Sequence, residues 1–148
     1  MSHWNVNFET GNPQIDADHR EFFHRVEALR LAIEAGEAAA RAAELLALLH
    51  EHALAHFHRE ESVMRHSGCP AHEANCTAHA EFARKLDGWT QLMCLTPPTP
   101  SLVADIHREA SAWMSQHILR IDCRLRGCQP HRADTSPVTS LAGSNAAA

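Results

Sequence analysis

Four stretches of apolar residues with helical spacing, and no alternation of the kind that strands require, constrain the fold of this chain most. The spacing predicts helices over residues 16–36, 40–65, 71–93 and 101–126, separated by short breaks that contain glycine or proline. Asp16 and Ser101 are suitable N-cap residues, and Gly127 is suitable for ending the last helix. The pattern predicts an all-α fold. We expect an antiparallel up-down-up-down four-helix bundle over residues 1–128, with an extended N-terminal arm over residues 1–15.

Polar residues interrupt the apolar stripe of every predicted helix. They are His19 in the first helix, His56 and Glu60 in the second, His79 in the third, and His117 and Asp122 in the fourth. A buried charge costs free energy unless it is paired or bound to a metal, and histidine is the commonest metal ligand. In a bundle these side chains meet in the core, where imidazoles and carboxylates form a cluster suited to iron or manganese.

The composition excludes some functions without choosing among the others. The 148 residues include thirteen histidines and no tyrosine, and a net charge of -5 with a pI near 6.2 argues against nucleic acid as a partner. We find neither a signal peptide nor an apolar run of membrane-spanning length, so we expect a cytoplasmic protein with no membrane partner. Five cysteines without a signal peptide predict free thiols.

The ligand candidates belong to a longer ordered set of residues that extends from Trp4 to Asp122. Its further members are Gly11, Ile15-Asp16, Phe57, Glu61, Met64, Gly68-Cys69-Pro70, Phe82, Trp113 and Ile118. This set resembles the hemerythrins, including the bacterial hemerythrin-like domains. A ferritin-like bundle needs Glu-x-x-His twice, and here that motif occurs once, at residues 21–24 and off the core stripe.

The resemblance implies two iron ions, held by five histidines and bridged by a glutamate, an aspartate and an oxo or hydroxo group. The residues that match the family's ligands are His19 and His56 for the iron with an open O2 position, His79 and His117 for the second iron, and Glu60 and Asp122 for the bridges. The residues that match its apolar O2 pocket are Phe57, Trp113, Met114 and Ile118.

One position departs from the family's pattern. The family has a histidine four residues before the one that matches His79, and this chain has Asn75 there. His72 is a poor substitute, because it lies about 10.5 Å from His79 along the helix axis and its side chain leans away. Cys76 is within reach but is rotated by about 100° from Asn75. We therefore predict a modified centre in which solvent is the simplest occupant of this position, with Asn75 or Cys76 as alternatives.

These features predict a non-haem di-iron domain that senses O2 or redox state and admits O2 and small azide-like anions. By resemblance, bacterial hemerythrin-like domains often precede an output domain such as a cyclic-dinucleotide cyclase. Residues 129–148 are rich in proline, serine and alanine and are predicted to be a disordered tail or linker. We expect no enzymatic activity from the bundle. The alternatives are a reversible O2 carrier or store, and a small di-iron peroxidase or nitric oxide reductase.

Four further interpretations concern residues outside the ligand set. Trp4 is predicted to cap the bundle, and His52, one turn before His56, is predicted to support the site without binding metal. The histidines predicted to lie at the surface are His50, His58, His66, His107 and His131. Cys123, Cys128 and His131 do not predict a zinc site, because no second cysteine pair is in range.

Overall fold

The computed structural model describes residues 4–128, and within them it confirms the predicted all-α four-helix bundle. The helices are α1 (Pro13–Glu34), α2 (Ala38–His66), α3 (His72–Leu95) and α4 (Pro100–Arg120). Two 3-10 helices flank them, η1 (Val6–Phe8) before α1 and η2 (Asp122–Gly127) after α4. The predicted tail or linker at 129–148 lies outside the described residues. Among the helices of residues 4–128, none combines the length and apolar character that a membrane span requires.

The helices pack as neighbours because short connections, at residues 35–37, 67–71 and 96–99, join each one to the next. Helix α1 packs against α2 and α4, and α2 also packs against α3. Helices α3 and α4 meet through Phe82 and Trp113, whose stacked rings have centroids 4.0 Å apart. The bundle therefore encloses one main core between all four helices.

Glycine ends two of the helices at the positions where the backbone turns left-handed. Gly36 (φ 72°) follows α1, and Gly68 (φ 63°) follows α2. After each of them the chain reaches back to the helix, Glu37 N to Ala32 O at 2.8 Å and Cys69 N to Met64 O at 2.9 Å. These bonds satisfy carbonyls that the helix end would leave without a partner, and they turn the chain sharply into the next helix.

The predicted starts of the first and last helices were wrong by one to three residues. Helix α1 begins at Pro13, with Asn12 accepting hydrogen bonds from Gln14 N and Ile15 N, and α4 begins at Pro100 with Thr99 as its N-cap. Proline fits the first turn because it has no N–H to leave unbonded and its φ is already helical. Asp16 is therefore not a cap.

The predicted extended arm also contains a turn of 3-10 helix. Asn5 caps η1, and Phe8 at its end is buried in the main core. Thr10 then holds the arm to α1, because its N–H and its hydroxyl both donate to Asp16 Oδ1, at 2.7 and 2.8 Å. Arg126 of η2 donates to the carbonyl of Asn7 at 2.9 Å. Contacts to α1 and to η2 thus hold the N-terminal arm on the bundle.

Helix α4 ends at Arg120, and not near residue 126 as predicted. Ile121 (φ −120°, ψ −59°) leaves the helical conformation, and the chain continues as η2, in which Gly127 is not a left-handed cap. In a regular helix His117 and Asp122, five residues apart, would point about 140° apart. The break at Ile121 instead turns Asp122 back into the core, where it is 0% exposed.

A second, smaller core lies at the end of the bundle next to η2. We call it the end cluster, and its buried members are Ile15, Met64, Cys69, Ala71 and Leu125. Val63, Ile121 and Cys128 pack against it from the side. The end cluster joins the beginning of α1, the connection between α2 and α3, and η2.

Candidate metal centre

The six predicted ligand side chains converge in the buried interior of the bundle. Within the described residues they form two groups that could each hold a metal ion. The first group is His19, His56, Glu60 and Asp122, and the second is Glu60, His79, His117 and Asp122. Glu60 and Asp122 belong to both groups, which is the arrangement that two bridged metal ions require.

The distances between donor atoms agree with binding to a common ion. His19 Nε2 lies 3.4 Å from Glu60 Oε1 and 3.3 Å from Asp122 Oδ2. In the second group, Glu60 Oε2 is 3.2 Å from His79 Nε2, and Asp122 Oδ1 is 3.0 Å from His117 Nε2. Donors about 2.1 Å from one ion and at right angles to each other are about 3 Å apart.

Several of these buried atoms have no hydrogen-bond partner among the described residues. They are His19 Nε2, His56 Nε2, Glu60 Oε1 and both carboxylate oxygens of Asp122. A buried polar atom without a partner costs roughly 1–3 kcal/mol, so five in one place are costly unless something binds them. Two metal ions fit this donor set, because they would take up the lone pairs that the protein leaves unused.

Asp18 supports the first group from behind. It is 5% exposed, and its Oδ2 lies 3.3 Å from His56 Nδ1 and accepts a hydrogen bond from Arg59 Nε at 2.8 Å. Its Oδ1 accepts from Gln14 Nε2 at 3.1 Å. Burial alone would raise the pKa of Asp18, but the hydrogen bonds from His56 and Arg59 hold it well below its usual range. The charged carboxylate thus keeps the proton of His56 on Nδ1 and leaves Nε2 free for a metal.

Glu61 does the same for the second group, but from a more exposed position. Its Oε1 is 2.9 Å from His79 Nδ1, and its side chain is 30% exposed. The hydrogen bond from His79 lowers the pKa of Glu61. Glu61, Cys76 and His79 also line a cleft of about 290 Å³ that opens to solvent. This half of the centre therefore has a route to the outside.

Aromatic rings cover two of the candidate imidazoles. Phe57 stacks on His79 with ring centroids 3.9 Å apart, and Trp113 stacks on His117 at 4.4 Å. Met114 and Ile118, also predicted to line a pocket, are fully buried in the main core with Phe57. Trp4 is half-buried, its ring lies 6.5 Å from that of His19, and Arg20 covers it at 4.6 Å, as a cap on the bundle would.

Asn75 lies fully buried beside the second group. Its Nδ2 donates to Glu60 Oε2 at 3.2 Å and to Met64 Sδ at 3.3 Å, and its Oδ1 has no hydrogen-bond partner among the described residues. The residue therefore contacts a candidate bridging carboxylate with its amide nitrogen. Neither Cys76 nor His72 joins a ligand group of residues 4–128, and the Cys76 thiol lies 3.5 Å from His72 Nε2.

The carboxylates of the centre also change the protonation of the imidazoles around them. Burial opposes a charge on His19, but the adjacent Asp122 and Glu60 outweigh it and raise the pKa of His19 to about 9. The pKa of His79 rises in the same way against its burial, through Glu60 and Glu61. Without a metal, protons therefore balance the negative charge of the site, and a metal would displace them.

The model of one protein family matches the part of the sequence that builds this centre. The hemerythrin HHE cation-binding domain matches residues 10–125, from the residue that fixes the arm to the last residue of the end cluster. The chain belongs to the hemerythrin family. A comparison with curated proteins found no match. Membership of the hemerythrins and the buried histidine and carboxylate groups together indicate a di-iron site.

Sequence reasoning assigned no role to two residues that support this hemerythrin site, Asp18 and Glu61. Both stand directly beside a ligand candidate in the sequence, and Glu61 is half of a Glu-Glu pair, so their role could have been suspected from that position. His52, predicted to support the site, does so indirectly through a hydrogen bond from its Nε2 to the carbonyl of Asp18 at 2.8 Å.

Of the predicted surface histidines, His58 and His66 are exposed, whereas His50 and His107 are half-buried beside Asp87 and Glu27. His131 lies outside the described residues.

Proposed function

We propose that this hemerythrin domain binds two iron ions and uses them to sense O2 or redox state, as the sensory module of a larger signalling protein. His19 and His56 would hold one ion, His79 and His117 the other, and Glu60 and Asp122 would bridge them. Iron bound there would supply O2 binding and electron transfer. An output domain such as a cyclic-dinucleotide cyclase would follow through residues 129–148.

The presence of asparagine at position 75 is the single observation that supports the proposed sensory function. With asparagine in place of the family's histidine, each of the two ligand groups contains only two imidazoles and two carboxylates. The Asn75 amide turns its nitrogen toward Glu60, so it offers no strong ligand in exchange. Both ions would then keep positions that exchange with solvent, and small anions such as azide should bind readily. A site of this kind favours fast oxidation over reversible O2 storage.

The side chains around the centre have separate tasks in this proposal. Asp18 and Glu61 orient the imidazoles of His56 and His79 by accepting from their Nδ1 atoms. Phe57 and Trp113 exclude water from one side of the second group. Glu61 also connects the ring of His79 to the solvent-open cleft, so it can exchange a proton with the outside.

Substitution of Asn75 by histidine tests the proposal. We expect the ferrous parent protein to oxidise in air about tenfold faster than Asn75→His, a difference of about 1.4 kcal/mol in barrier height. Both proteins should contain the same amount of iron. Stopped-flow absorbance after mixing with aerated buffer measures the rates, and Asn75→Gln serves as the matched control. Equal rates in parent and Asn75→His would contradict the proposal.

The aromatic cover of His79 and His117 favours a second candidate, a reversible O2 carrier, because it keeps water from part of the site. The same measurements separate the candidates. Reversible O2 uptake by the parent over hours would support the carrier. Turnover of hydrogen peroxide or nitric oxide would support a small di-iron enzyme. Rapid one-way oxidation with a change in protein structure would support the sensor.

A further inference from the structure

Two cysteines that are far apart in the sequence meet at the end cluster. Cys69, in the connection between α2 and α3, is 5% exposed and belongs to that cluster. Cys128, directly after η2, is half-buried and packs against the same residues. Both thiols are free and lie in this one cluster, where the Cys128 thiol donates to the carbonyl of Arg124 at 3.4 Å. A disulfide needs two cysteines close together in the fold, so two free thiols packed in one cluster are candidates for a disulfide.

The other three cysteines have different surroundings. Cys76 is beside Glu61 and His72, Cys123 donates to the carbonyl of Asn7, and Cys94 is exposed near the end of α3. The pairing of Cys69 with Cys128 is therefore set by the fold. No sequence motif predicts this pairing, because the two cysteines are far apart in the sequence.

We propose that Cys69 and Cys128 form a redox-active dithiol, an oxidative modification site that a hydroperoxide converts into an intramolecular disulfide. The bond would fasten η2 to the connection between α2 and α3. The site goes beyond the binding of iron and does not need iron to react. Only its consequence for Asp122 rests on the proposed function.

The chemistry balances with one molecule of hydroperoxide as the oxidant. The sulfur of Cys128, the more accessible thiol, attacks the O–O bond and becomes a sulfenic acid, while the alcohol leaves with the thiol proton. The sulfur of Cys69 then attacks the sulfenic sulfur, the S–S bond forms, and water leaves with the second proton. Two thiols lose two electrons, and the hydroperoxide gains them.

The proximity of the two thiols also affects how fast they react. Interaction with the Cys69 thiol, aided by burial, raises the pKa of Cys128 to about 11. Because the thiolate is the reactive form, the pair should resist brief exposure to oxidant at neutral pH and respond to sustained exposure. Such a pair would respond to accumulated oxidation.

The disulfide would act on the metal centre through η2. Asp122 is the first residue of this 3-10 helix, Leu125 anchors it in the end cluster, and Cys128 follows its last residue. In the same cluster, Met64 contacts Asn75. A covalent link at Cys128 would restrict the opening of η2 and so hold Asp122 in the centre.

Peptide mapping of the full-length, iron-loaded protein tests the dithiol. The protein is incubated for hours with hydrogen peroxide, its remaining thiols are alkylated, and it is digested with trypsin and a protease that cleaves after glutamate. Cleavage after Glu73 separates Cys69 from Cys76, so each pairing has its own mass. We expect one main cross-link, Cys69 to Cys128, that is lost in Cys128→Ser and kept in the control Cys94→Ser. No cross-link, or a main cross-link between other cysteines, would overturn the proposal.

Two further measurements test the clamp. The oxidised parent should melt about 5–10 °C above the reduced parent, because the cross-link closes a long loop, and it should release iron to a chelator at least about threefold more slowly. Cys128→Ser should show neither difference, and equal values in both forms of the parent would overturn the clamp. The iron-poor variant Glu60→Ala should still form the cross-link. The test of the dithiol is therefore independent of the test of the proposed function.

Discussion

The two ligand groups of the metal centre contain the same donors, two imidazoles and two shared carboxylates, but lie in different surroundings. Behind His56, Asp18 is buried and held by Arg59 and Gln14. Behind His79, Glu61 is partly exposed at a solvent-open cleft. Identical donors therefore do not make identical sites: the first half is enclosed, and the second is open to exchange.

We expect the largest effect from removing a residue that both ligand groups share. Glu60→Ala takes a carboxylate from both ligand groups. We expect the parent to bind about two irons per chain and this variant to lose most of them. Elemental analysis of the purified variant measures this. Glu73→Ala, a change of an exposed glutamate on α3, should keep full iron and serves as the control. Full iron content in Glu60→Ala would show that the assigned site is wrong.

The next largest effect should be a difference in stability between the iron-loaded and the metal-free protein that depends on pH. In the metal-free protein the pKa of His19 is raised from 6.5 to about 9, so the stability from its protonation is present below pH 6.5 and lost as the pH rises through 9. The loss should be on the order of 2–3 kcal/mol. The iron-loaded protein needs neutral imidazoles, so it should not lose this stability as the pH rises. Thermal melts from pH 6.5 to 9 should therefore show a growing gap between the two forms, and a constant gap would argue against the assignment.

The contrast between the enclosed and the open half predicts unequal effects for their supporting carboxylates. Loss of such a residue typically costs 10–100-fold in metal affinity. We expect Asp18→Ala to lie near the upper limit, since it also leaves Arg59 and Gln14 without their partner. Glu61→Ala should lie near the lower limit, because water can replace a partly exposed carboxylate. Competition with a chelator measures both affinities, and equal losses would remove the distinction between the halves.

The smallest effect should come from the residues nearest to the missing histidine. Cys76 and His72 lie outside both ligand groups, so Cys76→Ser and His72→Ala should change iron content and affinity by less than about twofold, within ±0.5 kcal/mol. Iron analysis and the same chelator competition apply. A clear loss of iron in either variant would show that the open half recruits a replacement ligand.

The sequence by itself determined the helical architecture and the identity of the converging side chains. Apolar spacing predicts helices, and a histidine or carboxylate on each apolar stripe must face the interior, because the stripe does. This reasoning needs only local periodicity. It placed the helix boundaries within a few residues, except at the end of α4, and it brought His19, His56, Glu60, His79 and His117 toward one core.

Only the tertiary structure decided the features that depend on residues distant in the chain. The break at Ile121, which turns Asp122 inward, carries no signal of its own, since the local sequence fits a longer helix. The support of His56 by Asp18 joins α1 to α2, and the meeting of Cys69 with Cys128 joins a connection to the end of η2. Periodicity gives the face on which a residue lies, but only the packing of one helix against another fixes which atoms come within hydrogen-bonding distance.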